Sequence, residues 1–296
     1  MTRKMHPFHR TELLVGGEGF DRLAASRVAV IGLGGVGSYA AEALARSGVG
    51  HLTLVDFDKV CVTNVNRQLH ATRKTVGKLK AELMAERAQH INPKGDFVAV
   101  PRFYEAASSD AILGDGFDVV IDCIDNMTAK LHLLQTCHER GWTVLSAMGA
   151  GGRMDPTRVQ VSDISQTHTD PFARIVRDGL RQRGIERGIT VVWTDEPPND
   201  LDPWAQETFR CICPGKDENT KHSCEKRFQV QGTVSWMPSI FGLTLAGVAV
   251  HALLGRTIAD RARPQKRDRP SPDKPSRERK RELLVEAGFR RNPAEA

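Results

Sequence analysis

Five short segments rich in Val, Ile and Leu recur through the first half of the chain. They are RVAVI (27–31), HLTLV (51–55), DFVAV (96–100), DVVID (118–122) and WTVLS (142–146). The stretches between them have the apolar spacing of helices. Strands without polar alternation are buried on both faces, and helical crossovers join parallel strands. The pattern therefore predicts an α/β fold built on a doubly wound, Rossmann-like and mostly parallel sheet.

The pattern loosens after Ser146, where a Gly-rich turn leads to a predicted strand VQVSDI, a helix from Pro171 to Arg183 and a strand ITVVW at 189–193. No period is visible in the Pro-rich segment 194–227, which contains three cysteines and predicts a long loop. The predicted divisions are 1–26 as an N-terminal arm and helix, 27–150 as the nucleotide-binding half, 151–255 as a substrate-side extension or C-terminal lobe, and 256–296 as a tail.

The segment 228–255 contains no Lys, Arg, Asp or Glu and is long enough to suggest a membrane span. Pro238 and several glycines interrupt it, and it also holds Gln, Ser and Thr side chains. A strand followed by a helix of small residues, packed on the sheet, accounts for the segment better. We therefore expect no membrane partner.

The net charge of +6 is unevenly distributed along the 296 residues. Residues 256–296 hold 13 basic and 7 acidic side chains, so the remainder is balanced at 29 of each. This tail has too few large apolar side chains to offset the entropy of ordering, which predicts a disordered basic tail. It could attract nucleic-acid phosphates or serve only to keep the protein soluble.

The cysteine content and the N-terminus indicate the compartment. Six cysteines are too few for a secreted disulfide framework, and the first residues contain no apolar run typical of a signal peptide. We therefore expect a protein of the reducing cytoplasm. The composition also excludes collagen-like, coiled-coil and disulfide-dense classes.

The first predicted strand runs directly into the loop GLGGVG, and a helical pattern follows. Gly32 allows a tight turn, Gly34 permits close approach to a phosphate or ribose, and Gly37 lets the helix pack on the strand. Asp56 ends the second strand, where a carboxylate can accept hydrogen bonds from ribose hydroxyls. These features predict a nucleotide site, and they fit an NAD enzyme as well.

The segment after the second strand concentrates polar and cationic side chains, namely Asn64, Asn66, Arg67, Gln68 and then Lys80. A hydride-transfer site needs little positive charge there. A site that binds a triphosphate and releases pyrophosphate needs cations around the attacked phosphorus. Arg67 and Lys80 are therefore predicted to bind phosphate, with a solvated basic face as the alternative.

Acidic residues follow the strands at the predicted carboxyl edge of the sheet. Asp125 is the predicted Mg²⁺ ligand, because hard cations on phosphates commonly use one or two carboxylates. Asn126 could bond the nucleotide or start the next helix. Asp122 could be functional or a structural strand-end carboxylate, and Asp58 is interpreted as a loop or cap residue.

At these residues the sequence resembles the superfamily that adenylates carboxylates, which comprises ubiquitin-activating enzymes and the bacterial ThiF/MoeB/HesA-like adenylyltransferases for sulfur-carrier proteins. The shared pattern is GLGGVG, then VDFDKVCVTNVNRQ, then Lys80, then DCIDN. The resemblance implies that ATP is bound by Gly34, Asp56, Asn64, Asn66, Arg67, Lys80, Asp125 and Asn126. It also implies a homodimer in which an N-terminal arginine, here Arg10, reaches the partner's ATP phosphates.

Within this superfamily the sequence is most similar to the tRNA threonylcarbamoyladenosine dehydratases. The segment GAGGRMDPTRVQVSDISQTHTDP (149–171) looks like the sheet-edge turn and strand of that subfamily. Lys130 also fits it better than the arginine often found in sulfur-carrier activators. The resemblance implies ATP-dependent cyclisation of threonylcarbamoyladenosine next to the anticodon of tRNA.

The residues suit this chemistry, because a free threonine carboxylate is a poor electrophile until its oxygen becomes a good leaving group. Its attack on the α-phosphate of ATP gives an acyl-adenylate and pyrophosphate, with Arg67, Lys80 and Mg²⁺ at Asp125 stabilising the charge. The neighbouring carbamoyl group then closes the ring and expels AMP. Proximity supplies much of the rate, so no catalytic cysteine is required.

The predicted loop also contains four soft metal ligands within 14 residues, Cys211, Cys213, His222 and Cys224. Structural zinc usually uses two Cys-x-x-Cys pairs, so the Cys-x-Cys and His-x-Cys spacing disfavours zinc here. A redox or persulfide role and ordinary loop thiols are the alternatives. Cys61, Cys123 and Cys137 are interpreted as small core residues.

Three other functions share parts of this sequence pattern. Adenylation of the C-terminal glycine of a sulfur-carrier protein uses the same chemistry, but the missing Cys-x-x-Cys pairs weigh against it. An NAD-dependent oxidoreductase does not need Arg67 and Lys80, and a noncatalytic tRNA-binding scaffold would ignore ATP. Dependence on a monovalent cation and a partnership with a cysteine desulfurase or a sulfur acceptor stay open.

Overall fold

The computed structural model describes residues 5–114, 116–204 and 232–257, all within one compact unit, Met1–Ile258. The strands of its sheet are β1 Arg27–Ile31, β2 His51–Val55, β3 Asp96–Val100, β4 Val119–Asp122, β5 Val144–Ala147, β6 Val159–Asp163 and β7 Thr190–Thr194. The helices in these ranges are α1 His9–Val15, α2 Gly17–Ala25, α3 Gly37–Arg46, α4 Lys80–Ile91, α5 Ala106–Leu113, α6 Met127–Glu139, α7 Pro171–Arg181 and α8 Trp236–Leu253.

The seven strands form one sheet in the order β3-β2-β1-β4-β5-β7-β6. Every neighbouring pair is parallel except β6 and β7, which are antiparallel. The chain order reverses at β1, which lies between β2 and β4. Ligands of open α/β sheets bind at such a reversal, outside the carboxyl ends of the strands. The predicted doubly wound fold is confirmed.

Two hydrophobic clusters cover the two faces of the sheet. Val28 and Val30 of β1 belong to the cluster that includes α3, α4 and α8, whereas Ala29 and Ile31 belong to the cluster that includes α5, α6 and α7. Successive side chains of a strand point to opposite faces. Because all four residues are almost fully buried, the first strand is apolar without alternation.

The helix α8 forms most of the long uncharged segment. By length and apolarity it could cross a membrane, but half of it is buried within the fold. Its Gly242 lies so close to α3 that a side chain there would collide with the Val36 carbonyl oxygen. The predicted core helix is confirmed. Residues 232–235 before it are not a strand, and the start of the predicted strand lies outside the described residues.

The second half otherwise follows the predicted order with small shifts. The strand predicted at 142–146 begins at Val144, and the helix that starts at Pro171 ends at Arg181. The start of α7 is fixed by Asp170, whose side chain accepts a hydrogen bond from the Phe172 amide at 2.9 Å. Most of the predicted loop (205–227) and nearly all of the predicted tail (258–296) lie outside the described residues.

Candidate active site

The glycine loop joins β1 to α3 at the carboxyl edge of the sheet. Gly32 has a φ of +90°, and a Cβ there would lie 2.8 Å from the carbonyl oxygen of Cys123. A side chain at Gly37 would collide with the Gly32 carbonyl. These two positions therefore require glycine. Gly34 is open, since the atom nearest to an added Cβ is the Gln68 Nε2, at 3.8 Å.

Asp56 follows β2 and connects the glycine loop to the next turn. Its Oδ2 accepts a hydrogen bond from the Leu33 amide at 2.7 Å, and its Oδ1 accepts one from the Asp58 amide at 2.8 Å. Each carboxylate oxygen has a second lone pair, so these bonds leave acceptor capacity for a ligand. Asp56 therefore fixes the shape of the site, and its predicted contact with ribose stays a prediction.

Lys80 begins α4 and is buried next to this turn. Its Nζ donates to Asp58 Oδ2 at 2.8 Å, and its side chain is 6% exposed. Burial alone would lower the pKa of Lys80, but the carboxylates of Asp56, Asp58 and Asp125 outweigh it and raise the pKa above its ordinary value. Lys80 is therefore a charged ammonium at neutral pH. Asp58, interpreted from the sequence as a loop or cap residue, lies in the loop after β2, and its ion pair with Lys80 was not predicted.

Arg67 lies beside the glycine loop, near Gly35. Its Nη1 donates to the Thr63 carbonyl at 2.7 Å and to Asn66 Oδ1 at 2.9 Å. Asn66 in turn donates to the Thr233 carbonyl at 2.9 Å, which connects this segment to the chain before α8. Asn64 is buried and accepts a hydrogen bond from the Cys61 amide at 3.0 Å, so it holds the local turn.

The carboxyl end of β4 contains a second lysine–aspartate pair, which is fully buried. Lys130 of α6 donates to Asp122 Oδ2, and the Ser146 hydroxyl donates to the same oxygen at 2.6 Å. Asp122 Oδ1 accepts from the Ile124 amide at 3.0 Å. Asp122 is therefore a structural carboxylate, one of the two alternatives left open above.

Asp125 and Asn126 follow this buried pair. Asn126 caps α6, because its side-chain oxygen accepts a hydrogen bond from the Ala129 amide at 3.0 Å. Asp125 is exposed, and its charge acts on the Lys80 ammonium. The fold therefore brings Asp125, Lys80 and the glycine loop to one edge of the sheet.

The two free thiols of the described residues, Cys123 and Cys137, are poor nucleophiles. Burial raises the pKa of Cys137 to about 12, and burial also raises the pKa of Cys123 far above its ordinary value. A thiol with a raised pKa has almost no thiolate at neutral pH. The candidate zinc ligands Cys211, Cys213, His222 and Cys224 lie outside the described residues.

Arg10 lies on α1, away from the glycine loop of its own chain. The following helix, α2, leads into the amino end of β1, and its Leu23 carbonyl accepts a hydrogen bond from Gly50 just before β2. These contacts put α1 and α2 at the amino edge, opposite the candidate site. Arg10 is exposed there, so a contact with ATP would require a second copy of the chain.

In the second half of the chain, β7 and the turn after β5 meet around a buried arginine. Arg153 is 3% exposed and lies 3.5 Å from Asp170 Oδ1. Glu196 accepts hydrogen bonds from the amides of Met154 and Asp155, at 3.0 and 2.9 Å. These contacts join positions more than 15 residues apart, so no local sequence pattern predicts them.

The comparisons with known proteins agree with this geometry. The profile of the ThiF family matches residues 8–281. The chain belongs to the ThiF family. A tRNA threonylcarbamoyladenosine dehydratase of Bacillus subtilis is 44% identical over 250 residues, which cover 84% of this chain and 95% of the relative.

Solved structures show the same likeness. The crystal structure of the Escherichia coli tRNA N6-threonylcarbamoyladenosine dehydratase TcdA in complex with ATP is similar with a TM-score of 0.71 and 33% identity. The match covers 84% of this chain and 94% of that one. A molybdopterin-synthase adenylyltransferase of E. coli is 36% identical, but over only 47% of this chain and 54% of the relative.

Proposed function

We propose that this protein dehydrates threonylcarbamoyladenosine in tRNA in an ATP-dependent reaction, through adenylation of the threonine carboxylate. The likeness to dehydratases over almost the whole length of the B. subtilis relative supports the substrate. The observation that carries the adenylation step is the buried, charged Lys80 beside the glycine loop. A fixed cation at this edge suits the transfer of a charged phosphoryl group.

The proposed reaction has two steps. The threonine carboxylate attacks the α-phosphorus of ATP, forming an acyl-adenylate and releasing pyrophosphate. The carbamoyl group of the same side chain then attacks the activated carbonyl, which closes the ring and expels AMP. One carboxylate oxygen leaves with AMP, so the base loses one water overall. Arg67 and Lys80 stabilise the negative charge that develops on the α-phosphate.

The predicted Mg²⁺ fits the residues at this edge. Asp56, Asp58 and Asp125 act on Lys80, and Asp122 ends β4. Asp122 is buried against Lys130, Asp56 is buried and bonded to backbone amides, and Asp58 is bonded to Lys80. Asp125 is exposed and is therefore the carboxylate that would hold the ion. Mg²⁺ there would neutralise charge on the phosphates. Dependence on a monovalent cation stays a prediction, which replacement of K⁺ by a tetraalkylammonium ion would test.

We further propose that the active form is a homodimer in which Arg10 serves the partner's site. Three large apolar side chains, Met5, Leu13 and Leu14, are 72–87% exposed on the segment that carries Arg10. A second copy of the chain would remove this apolar surface from water. A mixture of inactive Arg10→Ala and Lys80→Ala proteins should regain activity, because mixed dimers contain one intact site.

The alternative, activation of a sulfur-carrier protein, receives less support, since the adenylyltransferase likeness covers about half of the chain. The proposed dehydration consumes no sulfur and no electrons, so a cysteine desulfurase or sulfur acceptor is not needed for it. Because both tRNA and ATP are present in the cytoplasm, we propose that location.

The test is to incubate the purified protein with ATP, Mg²⁺ and tRNA bearing threonylcarbamoyladenosine, and then to digest the tRNA for mass spectrometry. A nucleoside lighter by one water, formed together with AMP, is the expected result. Unchanged tRNA, combined with pyrophosphate exchange stimulated by a sulfur-carrier protein, would contradict the proposal and support the alternative.

A further inference from the structure

Three metal-binding side chains meet near the N-terminus, outside the site described above. They are His6, His9 and Glu12, and one ligand atom from each lies within 4.8 Å of the others. Glu12 Oε2 is 2.9 Å from His6 Nε2 and 3.3 Å from His9 Nδ1. Within the described residues no other group of three or more His, Cys, Asp or Glu side chains is arranged in this way.

Burial of the carboxylate distinguishes this cluster from ordinary surface pairs. Glu12 is 8% exposed, whereas the side chains of His6 and His9 are 26% and 35% exposed. A carboxylate that is removed from water needs compensating positive charge or hydrogen bonds. The exposed imidazole edges leave a path by which a cation can reach it.

The local structure holds the ligands in place. His9 and Glu12 are three residues apart on α1 and therefore share one face of that helix. The His6 ring packs against Phe20 with ring centroids 4.9 Å apart, and Phe8 stacks on Phe20 with centroids 6.0 Å apart. Apolar rings around a cluster restrict its motion and exclude water from one side.

We propose that His6, His9 and Glu12 form a binding site for one divalent transition-metal ion, with Zn²⁺ as the best match. Two imidazoles and one carboxylate form a zinc ligand set that leaves a fourth position for water. Mg²⁺ and Ca²⁺ prefer oxygen ligands and match the set poorly. Coordination through His6 Nε2 puts the ring proton on Nδ1, so metal binding breaks the 3.2 Å hydrogen bond that Nδ1 accepts from the Phe8 amide.

The consequence is a fixed N-terminal segment. Arg10 lies between two of the ligands, so an ion on His9 and Glu12 holds the turn of α1 that carries it. The site belongs to the amino edge and does not contact the glycine loop. The test of metal binding therefore does not require the proposed dehydratase activity, although an ion here would steady the turn that carries Arg10.

The test uses Co²⁺ as a visible probe of the full-length protein after removal of metals by chelation. The expected result is one equivalent of Co²⁺ with visible d–d absorption, displaced by Zn²⁺. His9→Gln and Glu12→Gln should each weaken binding at least tenfold. His51→Ala is the matched control, because His51 pairs with a single carboxylate, Asp96, at 3.7 Å, and it should bind Co²⁺ like the parent.

A further variant distinguishes cobalt bound at His6, His9 and Glu12 from cobalt bound by the predicted cysteine ligands. The triple variant Cys211→Ser, Cys213→Ser, Cys224→Ser should keep the d–d absorption, and the His/Glu site should give no thiolate-to-cobalt charge-transfer band. Thermal melting without metal confirms that each variant is folded. Absence of d–d absorption in the parent, or an unchanged spectrum in both His9→Gln and Glu12→Gln, would overturn the proposal.

Discussion

Two lysine–aspartate pairs lie at the carboxyl edge of the same sheet, and they differ in burial. In the pair Lys80–Asp58 the aspartate side chain is 32% exposed, whereas both members of the pair Lys130–Asp122 are fully buried. The first pair faces the glycine loop and the exposed Asp125. The pair Lys130–Asp122 is enclosed by α6, β5 and Phe172. The centroid of the Phe172 ring lies 5.7 Å from Lys130 Nζ.

The difference shows how one pair of residue types serves two purposes. A lysine with a partly exposed partner can exchange that partner for a phosphate, because water compensates the aspartate that it leaves. A lysine that is enclosed with its partner cannot do so, since separation would leave a buried charge unpaired. This contrast supports the proposed phosphate binding by Lys80 and a structural role for Lys130.

The largest expected effect is on stability, at the enclosed pair. Lys130→Ala leaves Asp122 as an uncompensated buried carboxylate, which should lower the free energy of unfolding by about 3–5 kcal/mol. The double variant Lys130→Met, Asp122→Leu should recover most of this loss. Urea denaturation of the full chain measures both. A loss below about 1 kcal/mol in Lys130→Ala would show that the two pairs do not differ as we describe.

The next effect is on catalysis, at the pair Lys80–Asp58. Lys80→Ala and Arg67→Ala should each reduce AMP formation by about 10²- to 10³-fold, the usual effect of removing one charge-stabilising donor. Retention of tRNA on a filter should be largely unchanged. Lys78→Ala is the matched control, because Lys78 is exposed two positions before Lys80. Activity in Lys80→Ala equal to that of this control would remove Lys80 from the mechanism.

The buried His70, near Lys80, should make the stability of the fold depend on pH. Burial, and then the charge of Lys80, lower the pKa of His70 from 6.5 to about 3, and both ring nitrogens lack a hydrogen-bond partner among the described residues. Below pH 6.5 His70 is protonated in the unfolded chain but stays neutral in the folded chain until the pH approaches 3. Stability should therefore fall as the pH is lowered towards 3, by up to about 1.4 kcal/mol per pH unit.

The matched protein is His70→Gln, which cannot take up this proton. Urea denaturation at several pH values between 6.5 and 4 should give a shallower decline for the variant than for the parent. Parallel curves for the two proteins would mean that His70 is not a buried neutral imidazole.

The smallest effect is expected at Ser146, which supports the enclosed pair. Ser146→Ala removes the hydrogen bond that the hydroxyl donates to Asp122 and the one that it accepts from Lys130 Nζ, but it leaves the ion pair in place. The unfolding free energy should therefore fall by only about 1–2 kcal/mol. Ser165→Ala, at an exposed serine, serves as the control in the same denaturation series. A loss as large as that of Lys130→Ala would mean that the hydroxyl, and not the ammonium, neutralises Asp122.

The sequence predicted the elements whose signal is local. Runs of apolar residues were enough to predict the strands between Arg27 and Val100. The position between a strand and a helix was enough to predict the role of the glycine loop. The helix α8 was separated from a membrane span by its Pro and Gly interruptions. These features depend on neighbours in the chain, so the pattern was sufficient to find them.

The contacts that depend on strand register were not predicted. Asp122 and Ser146 are partners because β4 and β5 pair with these residues opposite each other. Asp58 meets Lys80 across a 22-residue separation, which no local pattern reports. The cluster at His6, His9 and Glu12 is different, because its regular spacing of three residues is a local pattern that the sequence does show.

The most direct test of the proposed chemistry follows one oxygen atom. The substrate is tRNA whose threonylcarbamoyladenosine carries ¹⁸O in the threonine carboxylate. It is incubated with the protein, ATP and Mg²⁺, and the masses of the products are measured by mass spectrometry. Adenylation predicts one ¹⁸O atom in AMP, together with unlabelled pyrophosphate. Label in orthophosphate, formed together with ADP, would show transfer of the γ-phosphate and would contradict the account.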